Sequence, residues 1–162
     1  MASEIQVSSA QFGTGEDIPL SAAHPSVGGA NKSPQLTWSG VPAEAKSLAI
    51  TCWDPDAPTG VGFSHWVRFD IPVDRDGMDE GAGTADGDWT DGFTDWGESQ
   101  YGGMAPPADD PPHHYRFTVY ALDTDSLGLD DHTTYARFQF AAGTHVLAVG
   151  TLTGHFGAAS SS

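Results

Sequence analysis

The chain has almost no positive charge. Two lysines and four arginines stand against 17 aspartates and five glutamates, which gives a net charge of −16 over 162 residues with histidine neutral. This excludes a nucleic-acid binder, because no basic patch can be assembled to meet phosphate. Anionic membrane surfaces are disfavoured for the same reason. The single cysteine, Cys52, excludes an intramolecular disulfide. No apolar run approaches the roughly 20 residues of a membrane-spanning helix. The opening MASEIQVSSAQF has neither the basic nor the apolar part of a secretory leader, so the expected location is the cytoplasm. There is no internal repeat at a period of about 20–50 residues, and no linker divides the chain. A single domain is expected over residues 1–157, followed by a disordered tail at 158–162.

Core material is present. Five Trp, eight Phe and four Tyr argue for a packed domain rather than an acidic disordered chain. Aspartate far in excess of glutamate, with lysine nearly absent, is the composition of a protein from a salt-loving organism, where molar salt screens the carboxylates.

Alternation of apolar and polar residues marks three strands, Ser47–Trp53, His65–Ile71 and His113–Ala121, with shorter candidates at Glu4–Val7 and Gln35–Trp38. Pro, Gly and Asp punctuate the gaps, which predicts an antiparallel β-sandwich or barrel, mainly β, rather than βαβ units. Residues 74–103 hold nine acids, one base and eight glycines. That is long for a structureless connection, so short strands or a function are expected there. Thr133–Ala142 has helical spacing with Gly143 as a stop, and Thr144–His155 reads as a further strand.

Residues two apart share one face of a strand. The inward row of the first strand is Leu48, Ile50 and Cys52, continuing to Asp54 and Asp56 if the chain stays extended. Pro55 and Pro58 favour that extension. The second row is His65, Val67, Phe69 and Ile71, and the third is His113, Tyr115, Phe117, Val119 and Ala121. Each row is apolar with one polar end. An antiparallel first strand brings Asp54, Asp56, His65, His113 and Tyr115 to one pocket mouth. The plainer reading is that strand ends are polar because they reach solvent. A pocket of this kind has cationic imidazoles raised by carboxylates and a tyrosine donor, with Gly102-Gly103 bringing backbone N–H groups near. It suits a small phosphate, sulfate or carboxylate.

The stretch Asp54-Pro-Asp-Ala-Pro58 with His65-Trp66 resembles the first signature of the phosphatidylethanolamine-binding protein family. Tyr101-Gly-Gly103, Pro106-Pro107, His113-His-Tyr115, Phe117 and Tyr120-Ala-Leu-Asp123 are similar to its second. The short interval from Asp56 to His65, Ser33-Pro-Gln-Leu-Thr-Trp38 and Val41-Pro-Ala43 resemble the bacterial and archaeal Raf-kinase-inhibitor-like branch. The resemblance covers most of residues 5–156. It implies an antiparallel sandwich with one or two short helices and an anion pocket at one end. It implies pocket residues Asp54, Asp56, His65, His113 and Tyr115, with Gly102-Gly103 beside them, and binders of phosphorylated headgroups or kinase-pathway modulators as relatives. Two departures stand out. His114 replaces the family's arginine and is a register rival to His113. The segment Ala-Asp-Asp-Pro-Pro between Pro107 and His113 is longer than usual, and its carboxylates are expected to weaken anion affinity at low salt.

The reading is therefore a binding or regulatory module for a small anionic ligand, with no catalytic residue, cofactor or metal assigned. A protein partner and a homodimer stay open. The alternatives are a weak hydrolase using an Asp–His dyad on water, and a kinase- or protease-inhibitor-type regulator. Ser64 adjoins His65 and so faces away from it, and Cys52 reads as core packing. Asp54, Asp56, His65 and His113 have the right atoms for a metal but no metal-motif spacing. Asp86–Gly92 mimics a calcium loop but fails its register at Thr90, Asp91 and Gly97. His24, His132, His145 and His155 stand apart, and the tryptophans read as packing.

Overall fold

The computed structural model describes residues 3–157, so the tail expected at 158–162 lies outside the described residues. The elements in chain order are β1 (Ser3–Glu4), β2 (Gln6–Ser8), β3 (Leu36–Ser39), β4 (Ser47–Asp54), β5 (Phe63–Pro72), β6 (Gly77–Met78), β7 (Thr90–Asp91), β8 (His113–Leu122), α1 (Tyr135–Ala142) and β9 (Val146–Phe156). Strands β1-β9-β8-β4-β5-β7 form one sheet and β2-β3-β6 a second. All strand pairs are antiparallel except the short β1–β9 contact. No described helix is long and apolar enough to cross a membrane. The mainly β, antiparallel architecture is the one the alternation predicts.

The main core fills the space between the sheets. It contains Leu48, Ile50 and Cys52 from β4, Tyr115, Phe117, Val119 and Ala121 from β8, and Leu36 and Trp38 from β3. Each large apolar side chain buried there contributes roughly 1.5–3 kcal/mol. A second cluster on the outer face of the large sheet joins Ala49, Val67, Phe69, Tyr120 and Leu122 to Phe138 and Ala142 of α1. The helix starts where Thr134 accepts from the Arg137 amide and stops at Gly143, whose N–H donates to Gln139.

The inward rows of β4 and β8 are as their alternation predicts, but that of β5 is not. Val67 and Phe69 face α1, and Trp66, Arg68 and Ile71 face the sandwich interior. Two bulges cause this. Pairing steps from Cys52–Trp66 to Trp53–Ser64 and leaves His65 without a partner; it also steps from Leu48–Ile71 to Ile50–Arg68. The second extra residue is Asp70 at φ 57, whose carboxylate fixes this left-handed backbone by accepting from Ser126 and Leu127. His65 and Ile71 thus lie on the expected side while Trp66 to Phe69 do not.

Arg68 organises the acidic stretch 74–103. Its fully buried guanidinium donates to Asp91 through Nε at 2.7 Å and Nη2 at 3.0 Å, and to the Ala82 carbonyl at 2.9 Å. Trp89 lies over it at 4.2 Å. The stretch contains β6, a turn of 3-10 helix at Ala82–Thr84 and β7, and Asp91 of the calcium-loop mimic is an ion-pair partner.

Candidate functional site

β4 ends where β5 and β8 begin, so its C-terminal Asp54 lies beside the starts of both neighbours. Asp54 is buried to 2% exposure. One of its oxygens accepts from the Asp56 amide at 2.8 Å, a local turn set up by the intervening Pro55. The other accepts from His113 Nδ1 at 2.7 Å. The outer nitrogen of that ring, Nε2, donates to Asp110 at 2.8 Å. His65 reaches the same place through its bulge. Its Nδ1 donates to the Gly102 carbonyl at 2.8 Å, and its Nε2 makes no hydrogen bond among the described residues. The His65 ring meets Tyr115 edge-on at 5.2 Å.

Asp54, His65, His113 and Tyr115 line a cavity of about 320 Å³, and Asp110 meets His113 beside it. Ala57, Pro58, Phe63, Trp96, Ala105, Pro106 and Pro107 supply apolar wall, and Asp54, Thr59, His65, Asp95, His113 and Tyr115 supply the polar part. This combination of apolar wall and a few convergent polar groups is typical of small-molecule pockets.

The two histidines are pushed in opposite directions. Burial opposes the charge of His113, but the Asp54 and Asp110 carboxylates outweigh it and raise the pKa, which favours the imidazolium form. Burial dominates at His65 and lowers its pKa, against the opposing Gly102 carbonyl. Because that carbonyl can only accept, the neutral ring carries its proton on Nδ1 and a lone pair on Nε2. Burial, and then the Asp54 charge, push the Tyr115 hydroxyl well up, so it stays a donor. His113, the unpaired His65 nitrogen and the Tyr115 phenol are the ring groups that the cavity presents to a ligand.

Asp54, His65, His113 and Tyr115 thus meet in one cavity. Asp56 does not line it; its carboxylate accepts from the His114 amide at 2.7 Å and from the His114 ring at 2.8 Å. Burial works against the ionised form of Asp56, but these bonds prevail and lower its pKa. His114 points outward and is exposed, which settles the register in favour of His113 as the inward ring. Gly102 and Gly103 adjoin the cavity without lining it, and their N–H groups are already used. Gly102 donates to the His65 carbonyl at 2.9 Å and Gly103 to the Asn31 side chain at 2.7 Å. Their lack of a side chain serves packing, since a Cβ at Gly102 would collide with the Trp96 ring and one at Gly103 with the backbone at Ala22–His24.

Several wall residues had no signal in the strand pattern. Trp96, read as packing, is a cavity wall. It is stacked on His24 at 4.0 Å, and its Nε1 donates to the Gly103 carbonyl at 3.1 Å. Phe63, Pro106 and Pro107 enter from loop or strand-end positions, where alternation carries no information. Among the described residues no three His, Cys, Asp or Glu side chains converge as a metal site, and Asp54 and His113 are spent on each other.

Comparison with known proteins gives one consistent result. The family profile described as phosphatidylethanolamine-binding protein matches residues 8–157. The chain is 38% identical over 159 residues to the UPF0098 protein YbcL of Escherichia coli, covering 94% of this chain and 87% of that one. It is 41% identical over 132 residues to the E. coli UPF0098 protein YbhB, covering 79% and 83%. The crystal structure of E. coli YbcL, described as a new member of the mammalian PEBP family, superposes with a TM-score of 0.90 at 36% identity, covering 96% of this chain and 99% of that one. A putative PEBP homologue from Chlamydia trachomatis superposes with a TM-score of 0.83 at 31% identity, covering 94% and 97%.

Proposed function

The chain belongs to the phosphatidylethanolamine-binding protein family, and from that premise we propose that it binds a phosphate monoester or similar phosphorylated headgroup in the cavity at Asp54, His65, His113 and Tyr115. The observation that carries this reading is the His113 ring, held against the buried Asp54 carboxylate at the polar end of a cavity whose remaining wall is largely apolar. Tyr115 is a second donor, and His65 becomes a third when an anion draws a proton onto its Nε2. Phe63, Trp96 and Pro106 cover the carbon part of the ligand. A volume near 320 Å³ suits a headgroup and not a pair of acyl chains.

A binding role fits these groups better than hydrolysis. A ring clamped as an imidazolium between two carboxylates is a poor general base. Ser64 accepts from the Asp95 amide at 3.1 Å and faces away from His65. The Cys52 thiol is buried, and burial raises its pKa, so it is not a nucleophile.

The acidity is read as adaptation to molar salt, so calorimetric titrations belong in molar KCl. Phosphoethanolamine is expected to bind saturably, ethanolamine not at all, and His65→Ala to lose the binding without any inorganic phosphate having been released by the parent protein. Equal binding of the two amines, or steady phosphate release that Asp54→Asn stops, contradicts the reading.

A further inference from the structure

We propose that Asp110 is a tethered competitor for the anion site, occupying with its own carboxylate the donor that an anionic ligand must use. The inference rests on the anion-binding reading above and concerns how that site is controlled. His113 has two N–H groups. The inner one donates to Asp54, whose side chain is 3% exposed, and the outer one donates to Asp110, whose side chain is 35% exposed. The inner bond fixes the ring. The outer bond satisfies the donor that remains for a ligand, with the same sign of charge and the same kind of acceptor atom that a phosphate or sulfate brings.

Three features make Asp110 a displaceable occupant. First, its carboxylate accepts no other hydrogen bond among the described residues. Second, it is carried on the short segment between Pro107, a cavity wall, and His113. A turn in which the Asp110 amide donates to the Pro107 carbonyl at 3.1 Å closes that segment. Third, Pro111 and Pro112 follow, and their fixed φ angles limit how far the carboxylate can stray from the ring. A short, stiff tether gives the carboxylate a high effective concentration at the imidazolium. Weak monoanions such as chloride or acetate then fail to displace it. A dianionic group that also engages Tyr115 and His65 succeeds. Asp110 therefore sets a threshold that selects for phosphate-like ligands.

Sulfate keeps one charge state across the histidine range and is the probe. The full chain and the variants Asp110→Asn and Asp110→Ala are titrated with sulfate near pH 5.5, below the ordinary histidine value of about 6.5. Calorimetry and the His113 ring resonances give the affinities. Removing a like charge in contact with the ligand position is expected to tighten sulfate at least about tenfold in Asp110→Ala. Asp110→Asn, which keeps an oxygen acceptor but no charge, falls between. With potassium gluconate replacing KCl as the background salt throughout this test, added chloride, inert towards the parent protein, is expected to shift the His113 ring of Asp110→Ala. Equal sulfate affinities in all three proteins, or weaker binding in the variants, overturn the competitor role while leaving the anion site standing. Absence of binding in all three, with sulfate and with phosphoethanolamine, overturns the anion site itself and this inference with it.

Discussion

Asp91→Ala is expected to lower the unfolding free energy by about 3–5 kcal/mol, the cost of leaving a buried charge without its partner. Arg68 sits on a central part of β5 with no solvent exposure, and the Asp91 carboxylate meets it with two hydrogen bonds. Nη2 also reaches the Ala82 and Ala85 carbonyls and Nη1 donates to the Met78 sulfur, and none of these can neutralise a guanidinium. Without Asp91 the positive charge stays in the core between Trp66 and Trp89, and the stretch from β6 to β7 loses its attachment. Urea unfolding in molar KCl measures the loss. Because the pair is buried, salt does not screen the effect away. Replacing both partners together, Arg68→Met with Asp91→Leu, is expected to recover more than half of it, because the desolvation cost goes as well. A loss below about 1 kcal/mol in the single variant contradicts the assignment of Arg68 as the post that holds this stretch.

His113→Gln is expected to weaken phosphate monoester binding by about two orders of magnitude. A hydrogen bond to a charged group contributes roughly 1.5–3 kcal/mol, and each 1.4 kcal/mol is a factor of ten. Glutamine can still donate to Asp54, so the fold survives while the positive charge is lost. The pH dependence follows from the direction of the His113 shift. Its folded pKa is raised by Asp54 and Asp110 against the opposing effect of burial. The stabilisation from this ion pair is therefore complete below the unfolded value near 6.5 and is lost as pH rises through the raised folded value. Anion affinity follows the same imidazolium, persisting above about pH 6.5 and declining beyond the His113 pKa. His65 runs the other way. Its pKa is lowered by burial, so its contribution is present above the unfolded value and is lost as pH falls towards the lower folded one. An affinity for phosphoethanolamine that is unchanged in His113→Gln contradicts the role given to this ring.

How much of this was legible in the sequence depends on the element. β4 and β8 run without interruption through the part of the core that matters, so period-two alternation placed Cys52, Asp54, His113 and Tyr115 on one side. On β5 the alternation placed His65 correctly only because a bulge brings this residue round to the side that alternation from Trp66 would deny it. A bulge at a residue such as His65 has no composition signature, whereas Asp70, an aspartate in the left-handed region, is the kind of residue that tolerates one. Gly102-Gly103 was read through the chemistry of anion loops, yet close packing against Trp96 and the Ala22–His24 backbone accounts for both glycines. Trp96 and Asp110 come from connections where neither period applies, and Phe63 is the first residue of β5, ahead of the bulge at His65. The unusual Ala-Asp-Asp-Pro-Pro segment was visible as an oddity, but only the three-dimensional contact identifies which of its two aspartates meets His113.

The central claim is that this polar end of the core is an oxyanion site built on a charged His113 beside a neutral His65. Ring NMR of the histidines in molar KCl tests it directly, as a pH titration with and without phosphoethanolamine. In the free protein His113 is predicted to titrate above the ordinary histidine range and His65 below it. The ligand is predicted to shift both rings saturably and to raise the His65 pKa, leaving the distant His132 and His145 unmoved. A ligand response confined to His114, or no response at either His65 or His113, contradicts the account.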